Sequence, residues 1–247
     1  MTEVALVTGG ARRIGRAIVE RLADAGYAVA IHHGSGRGEA QELANRLTAA
    51  GRSCGVFQAD LADAEAVRDL LPSVEAALGP VTLLVNNASS FVIDDVRSLG
   101  RRNLGSSVRG QSAGAVPADR RHGRAPAADA NGAVVNIVDQ RVWKLTPQYY
   151  SYTLTKAALL TATVTLASAG AASGSTPSAP ARPFPNPHDG QRLRSRKRRR
   201  RCSATASPRS EIAEAVLYLA HARSVTGQMI AVDAGQHLGW RTPDIVG

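Results

Sequence analysis

The chain holds little that could cross-link or anchor it. Its 247 residues include two cysteines, Cys54 and Cys202, with no CxxC spacing and no histidine cluster beside either. They read as free thiols in a reducing compartment, not as a disulfide framework or a metal site. No apolar run reaches the roughly 18 residues a membrane span needs. The opening MTEVALVTGG lacks a charged segment followed by a long apolar stretch, so no signal peptide is expected. A cytoplasmic protein without membrane contact and without a metal is the resulting expectation.

Two segments also lack periodicity. Arg97–Arg124 carries seven basic residues and one acid, and Ser168–Arg209 carries ten and one. Neither has helical or strand spacing. Together they more than account for the net charge of +10, because the remaining chain has 13 basic and 18 acidic residues. The run QRLRSRKRRRRCSA, Gln191–Ala204, is basic at eight of its fourteen positions. Such a run is the usual hint of a nucleic-acid patch. A polyanion site, however, needs a basic face shared across a folded surface. No nucleic-acid partner is expected.

Elsewhere the pattern is regular. Short apolar runs at Val4–Val7, Tyr27–His32, Cys54–Gln58, Val81–Val85, Ala133–Val138 and Met229–Val232 read as strands. They alternate with helical spacing over Arg13–Gly26, Glu39–Ala50, Ala64–Leu78, Gln148–Ala167 and Glu211–Ala220. Alternating strands and helices imply βαβ units and a parallel sheet covered on both faces. With 44% apolar residues, the chain suits one α/β domain over residues 1–247.

TGGARRIG, Thr8–Gly15, follows the first strand and opens the first helix. Glycines there let the backbone approach a pyrophosphate seated on the helix N-terminus. At the end of the second strand an NAD site usually offers an acid to the ribose. This chain offers His32, His33, Gly34, Ser35 and Arg37 instead, with Arg13 in reach. A cationic site suits the 2′-phosphate of NADP. Further along, Tyr152 and Lys156 lie one helical turn apart and share a face. An ammonium beside a phenol stabilises the phenolate, which makes the tyrosine a usable general acid. Asp139 follows the strand AVVNIV, 13 residues before Tyr152.

TGGARRIG, Asp60-Leu61, LLVNNASS, VVNIVDQ, YSYTLTK and SVTGQMIAVDAG occur in the order and spacing of the short-chain dehydrogenase/reductase family, over about 175 residues. Three departures from that family's common pattern resemble its pteridine reductase branch. Arg13 replaces the middle glycine of the phosphate loop, NNASSF (Asn86–Phe91) replaces NNAG, and Asp139 replaces the catalytic serine. The resemblance implies a single Rossmann-type, doubly wound domain with a seven-stranded parallel sheet flanked by helices. It implies NADPH, with cofactor contacts at Gly9, Arg13, Ile14, Gly15, His32, Ser35, Asp60, Leu61, Asn87, Ala88, Ser89, Tyr152 and Lys156. Catalysis would fall to Asp139, Tyr152 and Lys156, and a pterin would meet Ser89, Phe91, Asp139 and Tyr152. A homo-oligomer, a tetramer by family analogy, would be the partner state.

The family's asparagine after the fourth strand and its Pro-Gly loop after the sixth are missing, and both belong in the two aperiodic segments. Those segments, about 97–124 and 168–209, read as frameshifted text and are expected to be poorly ordered. Codons CTG GGA TCG TCA GTT CGC GGT CAA TCT for Leu104–Ser112, read one base later, spell WDRQFAVN, which restores the asparagine. Codons GGG TCA ACG CCA TCG GCC CCG GCC CGA CCN for Gly174–Pro183, read two bases later, spell VNAIGPGPT. The expected activity is NADPH-dependent reduction of a dihydropterin-like substrate. The competing readings are a carbonyl or 3-oxoacyl reductase and, outside enzymes of this kind, a catalytically damaged nucleotide-binding protein or a basic nucleic-acid binder.

Overall fold

The computed structural model describes residues 2–89, 94–97, 132–168, 175–180, 209–222 and 224–238. The expectations for Phe91, for the Gln191–Ala204 run and for most of the two aperiodic segments lie outside them.

Among the described residues seven strands form one parallel sheet: β1 (Val4–Val7), β2 (Ala28–His33), β3 (Cys54–Gln58), β4 (Val81–Asn86), β5 (Ala133–Ile137), β6 (Ser175–Pro180) and β7 (Ile230–Val232). Their order is β3-β2-β1-β4-β5-β6-β7, and all pairings are parallel. Among the described residues the α-helices are α1 (Arg13–Asp24), α2 (Arg37–Ala49), α3 (Ala64–Leu78), α4 (Tyr150–Ser168) and α5 (Arg209–His221). This is the α/β doubly wound sheet that the alternation predicts.

Side chains alternate across the sheet, as the strand period requires. Ala5 and Val7 of β1 join Val29 and Ile31 of β2 in a core with Ile18 and Leu22 of α1, Leu43 of α2 and Ile212 and Val216 of α5. Val4, Leu6, Ala28 and Ala30 face the other way, onto Leu70 and Val74 of α3. Each fully buried Leu or Ile is worth about 1.5–3 kcal/mol over leaving it exposed, so both faces of β1 are committed to the interior.

The helix ends differ slightly from the sequence reading. α1 stops at Asp24 because Gly26 takes φ 95° and the amides of Ala25, Gly26 and Tyr27 close back onto the carbonyls of Arg21, Ala23 and Leu22. α4 starts at Tyr150, not Gln148, because Tyr149 has φ 59° and cannot be part of a right-handed helix. β6 falls where the sequence carries no strand period, and it includes Pro177 and Pro180, which donate nothing to the ladder.

The order reverses between β1 and β4. Their carboxyl ends, with those of β2 and β5, rim the crevice where open α/β sheets take their ligands.

Candidate active site

The crevice is built first from the end of β1. The Thr8 amide donates to the Val85 carbonyl at 3.0 Å. Its hydroxyl accepts from the amides of Asn87 and Ala88, both at 3.0 Å. Asn87 returns its side-chain amide to the carbonyls of Thr8 at 2.9 Å and Gly9 at 3.1 Å. The two strand ends at the switch point are therefore laced together.

On this base the loop Gly9–Gly15 packs so closely that the chain itself fills the volume side chains would need at Gly9 and Gly15. Gly9 has φ 62°, and a Cβ there would lie 3.1 Å from the Ala88 Cα. A Cβ on Gly15 would fall 2.1 Å from the Gly9 carbonyl oxygen and 2.6 Å from Asn87 Nδ2. Only glycine fits at Gly15. The loop runs into the N-terminus of α1, where unpaired amides and the helix dipole favour an anion. Arg13, the residue in place of a family glycine, keeps a left-handed backbone at φ 51°. That conformation costs an L-residue about 1–2 kcal/mol. Its side chain is exposed, whereas Arg12 pairs with Glu39.

His32 lies at the end of β2, beneath the phosphate loop. It is buried, its Nδ1 accepts the Gly9 amide at 3.1 Å, and its Nε2–H reaches the Ala59 carbonyl at 3.1 Å. The two bonds fix the tautomer. Burial pushes its pKa down to about 4, against the pull of the Ala59 carbonyl, with His33 adding to the depression. His32 is thus a neutral brace beneath the phosphate loop, with both ring nitrogens used inside the chain. His33 is buried too, against the Gly34 carbonyl, while Ser35 is exposed on the following turn.

Of the other expected cofactor positions, Ile14 is half-buried in the first turn of α1. Asp60 is exposed and accepts the Ala62 amide at 2.9 Å, and Leu61 is buried on the α3 face of the sheet. Asn87 and Ala88 are half-buried at the end of β4, with Ser89 exposed beyond them.

The reactive cluster comes from β5 and α4. Asp139 follows β5, and its Oδ1 accepts the Arg141 amide at 2.9 Å, capping the short 3-10 turn Gln140–Val142. Its Oδ2 accepts the Tyr152 hydroxyl at 3.1 Å. Lys156, one turn further along α4, donates to the Ile137 carbonyl at 2.7 Å and stands 5.9 Å from the Tyr152 ring centre. Asp139, Tyr152 and Lys156 are all buried, with 4%, 6% and 2% of their surface exposed. Burial drives the Lys156 pKa down to about 8, while the Asp139 charge holds it up. A phenol is thus bracketed by a carboxylate acceptor and a nearby ammonium, the composition a proton-transfer site needs.

α4 is held against the sheet by a buried polar chain. Asn86 donates to Asn136 at 2.7 Å, and Asn136 donates to Thr163 at 2.6 Å.

Thr8 opens the glycine motif, but its role in tying β1 to β4, like that of Asp94 at α4, is not read from the sequence. Thr8 had a signal, a small hydroxyl residue between a strand and a glycine turn. Asp94 had none: it meets α4 across 57 residues of chain.

The sheet order, the glycine cradle at its switch point and the tyrosine–lysine pair define a Rossmann-type α/β protein. Within that class the chain belongs to the short-chain dehydrogenase family, whose model matches residues 3–175. Among solved structures it is similar to FolM alternative dihydrofolate reductase 1 from Brucella canis complexed with NADP. The identity is 41%, the TM-score is 0.86, and the match covers 99% of this chain and 97% of that one. A short chain dehydrogenase from Burkholderia cenocepacia in complex with NADP is 28% identical, with TM-score 0.85 over 94% of this chain and 97% of its own. Among curated proteins, 3-oxoacyl-[acyl-carrier-protein] reductase of Staphylococcus aureus is 39% identical over 88 residues. That match spans 36% of this chain and 36% of the relative's length.

Proposed function

We propose that the chain is an NADPH-dependent reductase of a pterin-like ring, with a dihydropterin as substrate. The observation that carries this reading is the buried hydrogen bond from Tyr152 to Asp139, a carboxylate standing where the family's common pattern has a serine. A similar chain, the Brucella canis protein, is named as an alternative dihydrofolate reductase complexed with NADP, which supports both substrate class and cofactor.

The residues fit a dinucleotide phosphate. The loop Gly9–Gly15, running into the N-terminus of α1, would take the pyrophosphate on its backbone amides, with Arg13, Ile14 and Ser35 around the adenosine half and its 2′-phosphate. Asp60, Leu61, Asn87, Ala88 and Ser89 would flank the cofactor along the β3 and β4 ends, and Tyr152 and Lys156 would hold the nicotinamide ribose. NADPH, when bound, supplies the hydride. The protein's work is to position and to move one proton. Tyr152 holds that proton at its hydroxyl and delivers it to the ring nitrogen of the substrate. Asp139 receives the hydroxyl hydrogen bond at rest, fixes its direction and helps return the proton from solvent. Lys156, tied to the Ile137 carbonyl, keeps its charge beside the phenol. Ser89 and Phe91 would complete the substrate face, with Phe91 stacking on the flat ring. By analogy with the family, the working form would be a tetramer.

Following NADPH absorbance against a panel of dihydropterins and of ketones, a 3-oxoacyl thioester included, tests this directly. Turnover confined to the dihydropterins supports the reading. Turnover confined to the ketones replaces it with carbonyl reduction.

A further inference from the structure

Asp94 stands on the chain segment that leaves β4, 58 positions before Tyr152. It is buried, with 4% of its surface exposed. Its carbonyl accepts the amide of Tyr149 at 2.7 Å and that of Tyr150 at 3.3 Å, and its carboxylate Oδ1 accepts the Ser151 amide at 3.2 Å. These are the last residue before α4 and the first two residues within it. The opening amides of a helix have no partner within the helix. Here one residue from a distant segment supplies acceptors to two of them and to Tyr149 as well.

Tyr149 is the strained position. Its φ of 59° is unfavourable for a side chain of that size. Strain of this kind persists only where the surroundings over-determine it. Asp94 grips the amide of that residue, and the Arg141 guanidinium lies 4.7 Å from the centre of its ring. Arg141 in turn donates its own amide to Asp139. The same short stretch thus ties Asp139 to the start of the helix that carries Tyr152.

The Asp94 carboxylate is not there for general polarity. Among the described residues its Oδ2 is buried without a hydrogen-bond partner, as is the Ser151 hydroxyl. Leaving a buried carboxylate oxygen unpaired is costly. Position therefore accounts for this aspartate: its side chain has the length to reach the Ser151 amide while its own backbone holds Tyr149.

We propose that Asp94 is a positioning residue for the proton-transfer site: it locks the turn at Tyr149 and the first turn of α4, and so sets the approach of Tyr152 to Asp139. Asp94 acts through Tyr152 and touches neither substrate nor cofactor. The catalytic consequence rests on the function proposed above; the structural consequence does not.

The test uses the full chain with Asp94→Ala and Asp94→Asn. Asn keeps an oxygen acceptor for Ser151; Ala keeps none. A displacement on the ångström scale costs up to about a hundredfold in rate. Asp94→Ala is expected to lower kcat by roughly ten- to a hundredfold, with KM and the Kd for NADPH within about twofold. Asp94→Asn is expected to recover kcat to within about threefold. In parallel, hydrogen exchange at the Ser151 amide is expected to quicken about fivefold in Asp94→Ala, with the later turns of α4 unchanged. Should Asp94→Ala not fold, Asp94→Glu, which keeps the charge but shifts the oxygen, takes its place.

Unchanged kcat with unchanged exchange overturns the proposal. Equal losses in the Ala and Asn variants overturn it too, as does a parallel fall in cofactor affinity. If the parent protein turns over nothing in the panel, the proposed function fails, and the exchange data still decide whether Asp94 holds the helix.

Discussion

The Tyr152 hydroxyl and the Asp139 carboxylate meet at 3.1 Å in a buried contact between the first turn of α4 and the end of β5. Two acceptors share the duty at Asp139: Oδ2 takes the phenol and Oδ1 takes the Arg141 amide. The carboxylate is therefore oriented by backbone, and it orients the phenol in turn. Tyr152→Phe removes the proton donor and leaves the packing. It is expected to lower kcat by roughly 10²–10⁴-fold with little change in the Kd for NADPH, read by stopped-flow and by titration calorimetry. Asp139→Asn keeps the shape and removes the charge. It is expected to cost dihydropterin turnover more than it costs cofactor affinity.

Lys156 gives the site an alkaline limb. Its pKa in the fold is about 8, against 10.5 for an ordinary lysine, because burial penalises the ammonium. Activity that needs the ammonium falls as pH rises through about 8, and kcat/KM reports this for the free enzyme. Stability moves the other way. Between pH 8 and 10.5 the unfolded chain binds more protons at this residue than the folded chain, so stability rises with pH across that window. Removing the Asp139 charge, which holds the Lys156 value up, is expected to move the limb to lower pH.

His32 gives the fold an acid limit. Its pKa is about 4 when folded and 6.5 when free, so its contribution to stability is present above pH 6.5 and is lost as pH falls from there through 4. The full shift corresponds to on the order of 3 kcal/mol. His32→Gln offers an oxygen to the Gly9 amide and an N–H to the Ala59 carbonyl, and it does not titrate. Thermal melts between pH 7 and 4 are expected to decline less steeply in this variant than in the parent.

Arg13 carries backbone strain at φ 51° in a loop where glycine would carry none. Arg13→Gly is expected to leave the melting temperature equal or higher, because relief of about 1 kcal/mol offsets the added freedom of the unfolded chain. The same change is expected to weaken NADPH by about tenfold, with a smaller effect on NADH. Parallel titrations with the two cofactors check it.

Segments 97–124 and 168–209 read as frameshifted text, and the gene itself can be tested for this. Re-sequencing across the codons for residues 96–124 and 166–210 is expected to reveal single-base changes that restore WDRQFAVN and VNAIGPGPT. An unchanged sequence contradicts it. β6 falls at Ser175–Pro180, within the stretch that the shifted frame spells as VNAIGPGPT.

Local chemistry made much of the fold legible. The β1 run, the α1 stripe of Ile18 and Leu22 and the glycines of the phosphate loop all carry periodic or conformational signals that act within one element. Tyr152 and Lys156 were legible for the same reason, being one turn apart. β6 was not, because a strand with two prolines and no period has no pattern to read. The depth of His32 is not legible, because sequence gives a residue's position along a strand but not how far it is buried. The start of α4 was two residues off because Tyr149 is held by Asp94, a contact across 55 residues that no local window contains.

The most direct measurement is NADPH oxidation by the parent chain and by Tyr152→Phe, each with a dihydropterin and with a 3-oxoacyl thioester. The expected result is turnover of the dihydropterin by the parent alone and none of the thioester. Equal dihydropterin turnover by the two proteins, or turnover of the thioester only, would contradict it.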